Sequence, residues 1–261
     1  MSKQPRIVAL QRFPVKGLSS ESLEGIDLTI GDPIPGDRIY AVENGPSGFD
    51  PRHPAFLPKM KFLMLMRNAR LAGLRTWFDD ASQTLSISDA AGNLLAEGCL
   101  DLAAGRATIE GFLEDFMGDE MRGPARVLSS VDHHFFDVSS RVVSLVNLAT
   151  VRDLSERMGV ELDPVRFRAN IHIDGLKPWA ELDWAGRSLI GGSARFTVKK
   201  AIERCAATDV NPETASRDTK IPTTLLKERG VNALGIYLLV TGSGRIAVGD
   251  AIFPMSLAAA G

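Results

Sequence analysis

Cysteine is scarce in this sequence. Only Cys99 and Cys205 occur in 261 residues, and they are too far apart to form a C-x-x-C pair. Two thiols make no disulfide framework, and they fit a reducing compartment. They also fall short of the four thiolates that an iron–sulfur cluster takes. Positive charge is not in excess either: the formal net charge is −2. That argues against a general nucleic-acid binder, although a few cations can still converge on one anion. Long apolar runs are missing. Residues 1–17, MSKQPRIVALQRFPVKG, hold no signal-peptide core, and nothing later approaches the ~20 apolar residues of a membrane span. The expectation is a soluble, cytoplasmic protein with neither a nucleic-acid nor a membrane partner.

Familiar catalytic signatures are missing as well. The sequence holds no G-x-S-x-G, no Walker-type loop and no paired-carboxylate motif. His133 and His134 are adjacent, so in a strand they face opposite ways, and a histidine zinc site is not expected. The stretch GSGRIAVG at 242–249 has the spacing G-x-G-x-x-x-x-G and joins two predicted strands, which reads as a hairpin turn rather than a nucleotide loop. His53, His133, His134 and His172 leave a Cys-His-Asp hydrolase formally open, without a local signature for one.

What is present is ordinary globular composition, 44% hydrophobic and 24% charged, in a length suited to one large domain or two smaller ones. Most of the apolar pattern has period two or comes in short runs bounded by Gly, Pro, Asn or Asp. Residues 6–13, 25–32, 37–44, 70–80 and 84–90 read as strands, with AAGN at 90–93 as a hairpin turn. Pro46, Gly48, Pro51, Pro54 and Pro58 make 44–58 a loop. Helical periodicity marks 101–117, then 147–158 with Asn147 as N-cap and Gly159 as stop, and a short helix over 223–229 closed by Gly230. Strands resume at 235–242 and 245–253. Low complexity is confined to a short Ala-rich tail at 258–260. Strands follow strands too often for repeated βαβ units, so the fold class is mainly β with a few helices, in two β-barrel-like lobes. The expected division lies near Gly118 to Pro124, giving 1–118 and 119–261.

Two stretches are candidates for chemistry. In RFRANIHID (166–174), read as a strand, Arg166, Arg168, Asn170 and His172 share one face. That face is either the solvated polar face of a half-exposed antiparallel strand or, through Arg168 and Asn170, an anion site. In ERCAATDVNPET (203–214), Cys205 stands at a strand end before a turn set by Asp209 and Asn211. It is either an inert small core residue or an accessible thiolate.

Several separated stretches resemble one family. FPVKG at 13–17 with ESLEGIDL, GDRIYAV at 36–42, RFRANI at 166–171, RCAATDVNPET at 204–214 and IAVGDAI at 246–252 are similar, in order, to elements of MOSC-domain proteins with an N-terminal MOSC β-barrel. Gly17, Ala169, Glu203 and Asn211 depart from the pattern. The resemblance implies an N-terminal MOSC β-barrel over 1–118 and a MOSC domain over 119–261. It also implies a molybdenum cofactor (molybdenum–molybdopterin), with Cys205 as metal ligand and catalytic residue. Lys16, Arg38, Ser139, Arg168, Asn170 and Arg204 would hold the cofactor. The implied activity is reduction of small N-oxygenated compounds, and electrons would come from an external iron–sulfur or flavin protein. The alternative is a sulfur carrier with a persulfide on Cys205.

Overall fold

A computed structural model describes residues 4–255, so the Ala-rich tail lies outside the described residues. The chain is mainly β, with fifteen strands and three α-helices among those residues. Its centre is a strongly curled eight-stranded sheet in the order β15-β11-β12-β13-β9-β10-β1-β2. These strands are β15 (Ile252–Pro254), β11 (Ser188–Gly191), β12 (Ala194–Glu203), β13 (Ala233–Gly242), β9 (Val143–Asn147), β10 (Ile171–Asp174), β1 (Arg6–Arg12) and β2 (Glu21–Leu23). Neighbours are antiparallel except β9 and β10, which run parallel. A parallel pair needs a crossover, and α2 (Leu148–Met158) supplies it. Asn147 caps α2, accepting from the Ala149 backbone N–H, and Gly159 ends it in the left-handed region at φ 66°.

The inner face of the curled sheet closes on Ile7, Leu145, Ile171, Phe196, Ile236 and Leu238, all fully buried. A second core lies where α1 (Ala103–Met117) covers the sheet of β5 (Arg75–Asp79), β6 (Thr84–Ser88) and β7 (Leu94–Cys99). There Ile109, Leu113 and Met117 of α1 meet Phe78, Leu85 and Ile87. Period-3.6 and period-2 apolar patterns, one from each element, thus bury each other. Two further pairs complete the β structure: β3 (Gly25–Leu28) with β14 (Gly244–Ala247), and β4 (Ala41–Asn44) with β8 (Ala125–Leu128). Strands from either side of Gly118 therefore pair directly, in β1 with β10, β3 with β14 and β4 with β8.

The structure corrects several strand expectations, among them 245–253, which breaks at 248–250 into β14 and β15 in different sheets. RFRANIHID is not one strand: Pro164–Phe167 form a 3-10 turn capped by Asp163, Arg168 turns into the left-handed region at φ 48°, and only Ile171–Asp174 are extended. A proline at the first position and an Asp cap favour a helical start, which the polar alternation of 166–172 conceals. The strand expected over 37–44 begins at Ala41, because Arg38 lies at φ 54°. Residues 69–73 form a 3-10 helix ahead of β5. The Gly-Ser-Gly turn joins two strands that do not pair with each other, since β13 lies beside β12 and β9 while β14 lies beside β3. It is a turn but not a hairpin. The AAGN hairpin between β6 and β7 and the helix before Gly230, α3 (Ile221–Arg229), form as expected.

Candidate functional site

Cys205 lies just beyond the end of β12, half-buried, ahead of a turn over residues 206–209. Its carbonyl accepts from the backbone N–H and the hydroxyl of Thr208, both at 3.0 Å, so the turn is closed on itself. Three arginines fasten this segment to the rest of the molecule. Arg217 donates to the carbonyls of Ala206 (2.6 Å), Leu65 (2.9 Å) and Met66 (2.8 Å). Arg75 donates to the Pro212 carbonyl at 3.1 Å. Arg166, buried, grips the Asp218 carboxylate with both terminal nitrogens at 2.8 and 2.7 Å.

In front of Cys205 opens a cavity of about 380 Å³ lined by residues from both halves of the chain. Of the residues expected from sequence, Lys16, Arg38, Arg168, Asn170, Arg204 and Cys205 line it, while Ser139 is exposed and lies outside the lining. Lys59, at the exit of the Pro-rich loop, and Asp137 were not singled out by sequence, and both belong to it.

The cations are held in different ways. Lys16 is buried, and its Nζ donates to the Phe135 carbonyl at 2.8 Å and to Asp137. Burial pushes its pKa down, against the pull of Asp137. Gly17 follows at φ 86°, and a Cβ there would stand 2.8 Å from the Leu63 carbonyl oxygen, so only glycine fits without a shift. The Arg38 guanidinium pairs with buried Asp37, donates to the Arg168 carbonyl at 3.0 Å and lies over Phe13 at 4.6 Å. The Arg168 guanidinium lies over the same ring at 4.3 Å and donates to the Leu18 carbonyl at 2.7 Å. Burial and then the charge of Arg38 bring Arg168 down to about 9, still cationic near neutrality.

Arg204 donates from Nε to the Leu234 carbonyl at 2.7 Å and from Nη1 to the Phe167 carbonyl at 2.8 Å. Its Nη2 is buried without a partner. Burial lowers its pKa to about 10. Gly235 makes room for it: at φ 76°, a Cβ would stand 2.5 Å from the Leu145 carbonyl oxygen and 3.0 Å from Nη2.

Asn170 is a framework residue as much as a lining one. Its Oδ1 accepts from the Ser144 N–H (3.0 Å) and hydroxyl (2.8 Å), and its Nδ2 donates to the Gln11 carbonyl at 3.1 Å. It thus ties β9 to β1 from beneath the cavity.

Asp137 is the local counter-charge. Partial burial pushes its carboxyl up, but the Lys16 and Lys59 ammonium groups outweigh that and hold it well below the usual carboxylate range. Lys59 Nζ reaches Asp137 at 3.2 Å and Cys205 Sγ at 3.3 Å. Burial opposes its charge, yet Asp137 and Cys205 leave its pKa raised. The sulfur therefore sits beside a persistent ammonium, in a cleft with Arg38, Arg168 and Arg204. Phe136, Val138, Val142 and Met64 supply apolar lining. Such an arrangement suits a polyanionic ligand with a soft acceptor for sulfur.

Residues 130–253 match the MOSC domain. Over 111 residues the chain is 32% identical to molybdenum cofactor sulfurase of Drosophila willistoni, a match covering 42% of this chain and 14% of that protein. Over 119 residues it is 33% identical to human mitochondrial amidoxime reducing component 2, covering 41% of this chain and 35% of that protein. The chain thus spans well under half the length of either relative. Among solved structures, the YUAD protein from Bacillus subtilis is similar at a TM-score of 0.44 and 14% identity, covering 96% of this chain and 94% of that one. Among the described residues no helix is long and apolar enough to cross a membrane.

Proposed function

We propose, for a chain that carries a MOSC domain over residues 130–253, that the cavity takes a molybdenum cofactor. The protein then reduces small N-oxygenated compounds, such as N-hydroxylated bases or amidoximes, in the cytoplasm. An external iron–sulfur or flavin protein supplies the electrons. The observation that carries this reading is the gathering of one half-exposed thiol, Cys205, with Lys16, Arg38, Lys59, Arg168 and Arg204 around one cavity.

The donor set suits the group. A soft sulfur ligand fits a metal held by dithiolene sulfur, and a buried phosphate needs charge-assisted donors. Arg204 has a buried Nη2 still without a partner, a donor that a cofactor oxygen would satisfy. Cys205 would hold the metal, and Arg38, Arg168, Arg204 and Lys16 the phosphate and pterin. When bound, the cofactor supplies the two-electron reduction of the N–O bond. This chain's own residues orient and shield. Lys59 fixes the sulfur by its hydrogen bond, Asp137 bridges Lys59 and Lys16 and offsets their mutual repulsion, and Asn170 braces the cavity floor. The apolar lining keeps water from competing with substrate. Per substrate molecule, two electrons from the donor and two protons from solvent convert an N–OH group to N–H and release water.

The Lys59–Cys205 contact also favours a second reading, in which Cys205 carries persulfide sulfur to a cofactor or metal cluster. Metal analysis of protein from a host that makes the cofactor separates the two. The first requires near-stoichiometric molybdenum, lost in Cys205→Ala, and turnover of a panel of N-hydroxylated compounds with an artificial donor. Sulfane sulfur on Cys205 without molybdenum gives the second, and neither outcome rejects both.

A further inference from the structure

The outer face of the eight-stranded sheet runs on past the cavity with its side chains half-buried or exposed. Residues directly opposite one another in antiparallel strands present their side chains to the same face. Tyr237 stands opposite both Lys200 and Ser144, and all three line the cavity. Further along that face Thr197 stands opposite Leu239, Arg195 opposite Ile190, and Ile190 opposite Phe253. Leu239, Ile190 and Phe253 are only half-buried, whereas Phe196, Leu238, Leu189 and Ile252 on the inner face are core.

β12 carries an irregularity at a telling place. Val198 pairs with Leu238 and Lys200 with Tyr237, so Lys199 is an extra residue with no partner on β13. In a regular strand consecutive lysines would face opposite sides. A bulge re-aims one of them, and here both Lys199 and Lys200 are exposed. With exposed Arg195 they form a row of cations leading to the cavity mouth. None of the three is paired with a carboxylate among the described residues, whereas exposed Arg126, Arg141, Arg152 and Arg245 all are. Lys199 Nζ instead donates to the Ser140 hydroxyl. Among the described residues the cavity lining holds two acids, Glu203 and Asp137, and Asp137 is already paired with Lys16 and Lys59.

We propose that this row is the docking site of the electron donor, a small acidic iron–sulfur protein. The inference rests on the reading of the cavity as a redox centre fed from outside. Carboxylates of the carrier meet Arg195, Lys199 and Lys200, and its contact surface covers Leu239, Ile190 and Phe253, which brings its cluster to the cavity mouth. Each docking delivers one electron, with one iron going from ferrous to ferric. Two reduced carriers are therefore consumed for each N–O bond, and solvent supplies two protons. Transient redox complexes bury little surface, so steering by complementary charge sets their encounter rate and salt dependence.

The test uses the full chain and an oxidised, acidic plant-type [2Fe–2S] ferredoxin as probe, titrated by calorimetry at low and high ionic strength. Saturable binding that weakens with salt is expected. The charge reversal Arg195→Glu, Lys199→Glu, Lys200→Glu should weaken it roughly tenfold or more with an unchanged melting temperature. Lys227→Glu, exposed on α3, should leave it as in wild type. Absence of saturable binding, or binding indifferent to the triple reversal, overturns the proposal. So does sedimentation showing that this face joins two copies of the chain. Binding is read without turnover, so it fails separately from the cofactor reading, which falls on metal content alone.

Discussion

Lys59 Nζ lies 3.3 Å from Cys205 Sγ, although 146 positions separate the two residues in the chain. The Pro-rich segment at 44–58 ends immediately before Lys59, so the exit of that loop decides what faces the sulfur. Hydrogen bonds that involve a charged group are worth about 1.5–3 kcal/mol, which is tenfold or more in affinity. Lys59→Met should therefore lower retained molybdenum about tenfold. Lys59→Arg should recover part of it. Both variants should melt close to wild type, because Lys59 is partly exposed and its pairs contribute little to folding. Metal analysis beside thermal melts reads both quantities, and unchanged metal content would show the contact to be incidental.

Arg168 and Asn170 are two residues apart and line the same cavity, yet they answer different questions. Arg168→Ala removes a cation whose guanidinium is stacked on Phe13, and cofactor content should fall more than stability does. Asn170→Ala strands the Ser144 N–H and the Gln11 carbonyl, at a cost of about 2 kcal/mol, with metal content per folded molecule little changed. Urea titration and metal analysis of the two variants should give opposite orders. The same order in both would show that the two side chains share one role.

The Arg166–Asp218 pair fastens the segment that carries Cys205. The Arg166 side chain is 2% exposed while that of Asp218 is 36% exposed. Removing one partner of a buried pair leaves an uncompensated charge, at about 3–5 kcal/mol, and partial exposure of Asp218 places this case lower, at about 2 kcal/mol. Asp218→Ala should shift the urea midpoint accordingly.

His172 makes stability sensitive to acid. Burial drives its pKa down to about 4, and its Nε2 has no partner. The unfolded chain binds a proton near pH 6.5 that the folded chain refuses until about pH 4. Stability attributable to this group is therefore complete above pH 6.5 and is lost as pH falls toward 4, by about 3 kcal/mol in total. Chemical denaturation of His172→Gln should show a smaller difference between pH 7 and pH 5 than wild type. An identical difference in both would clear His172.

Much of this architecture was legible in the residues themselves. Helix α2 was written in its period, in the Asn147 cap and in the Gly159 stop, because those signals are local. The position of Cys205 at a strand end followed from its turn-forming successors. What failed was also local but ambiguous: the alternation of RFRANIHID matched a strand, while Asp163 and Pro164, just upstream, favoured a helical turn. The resulting left-handed Arg168 aims its side chain at Phe13, which no periodicity foretells. Lys59 and Asp137 escaped for another reason. Lys59 opens a single 3-10 turn and Asp137 lies in an irregular segment, and only tertiary contact across 78 positions makes them a pair. Ser139, which the resemblance implies as a cofactor contact, is exposed and lies outside the cavity lining.

The pairing of β1 with β10 has a consequence for biogenesis. Leu10 lies in register with Leu23 on one side and Ile171 on the other, so a nascent chain can close the β2 side of its first strand early, while the β10 side stays open until Ile171 has been synthesised. Such late closure lengthens the time during which an apolar edge is open to mispairing.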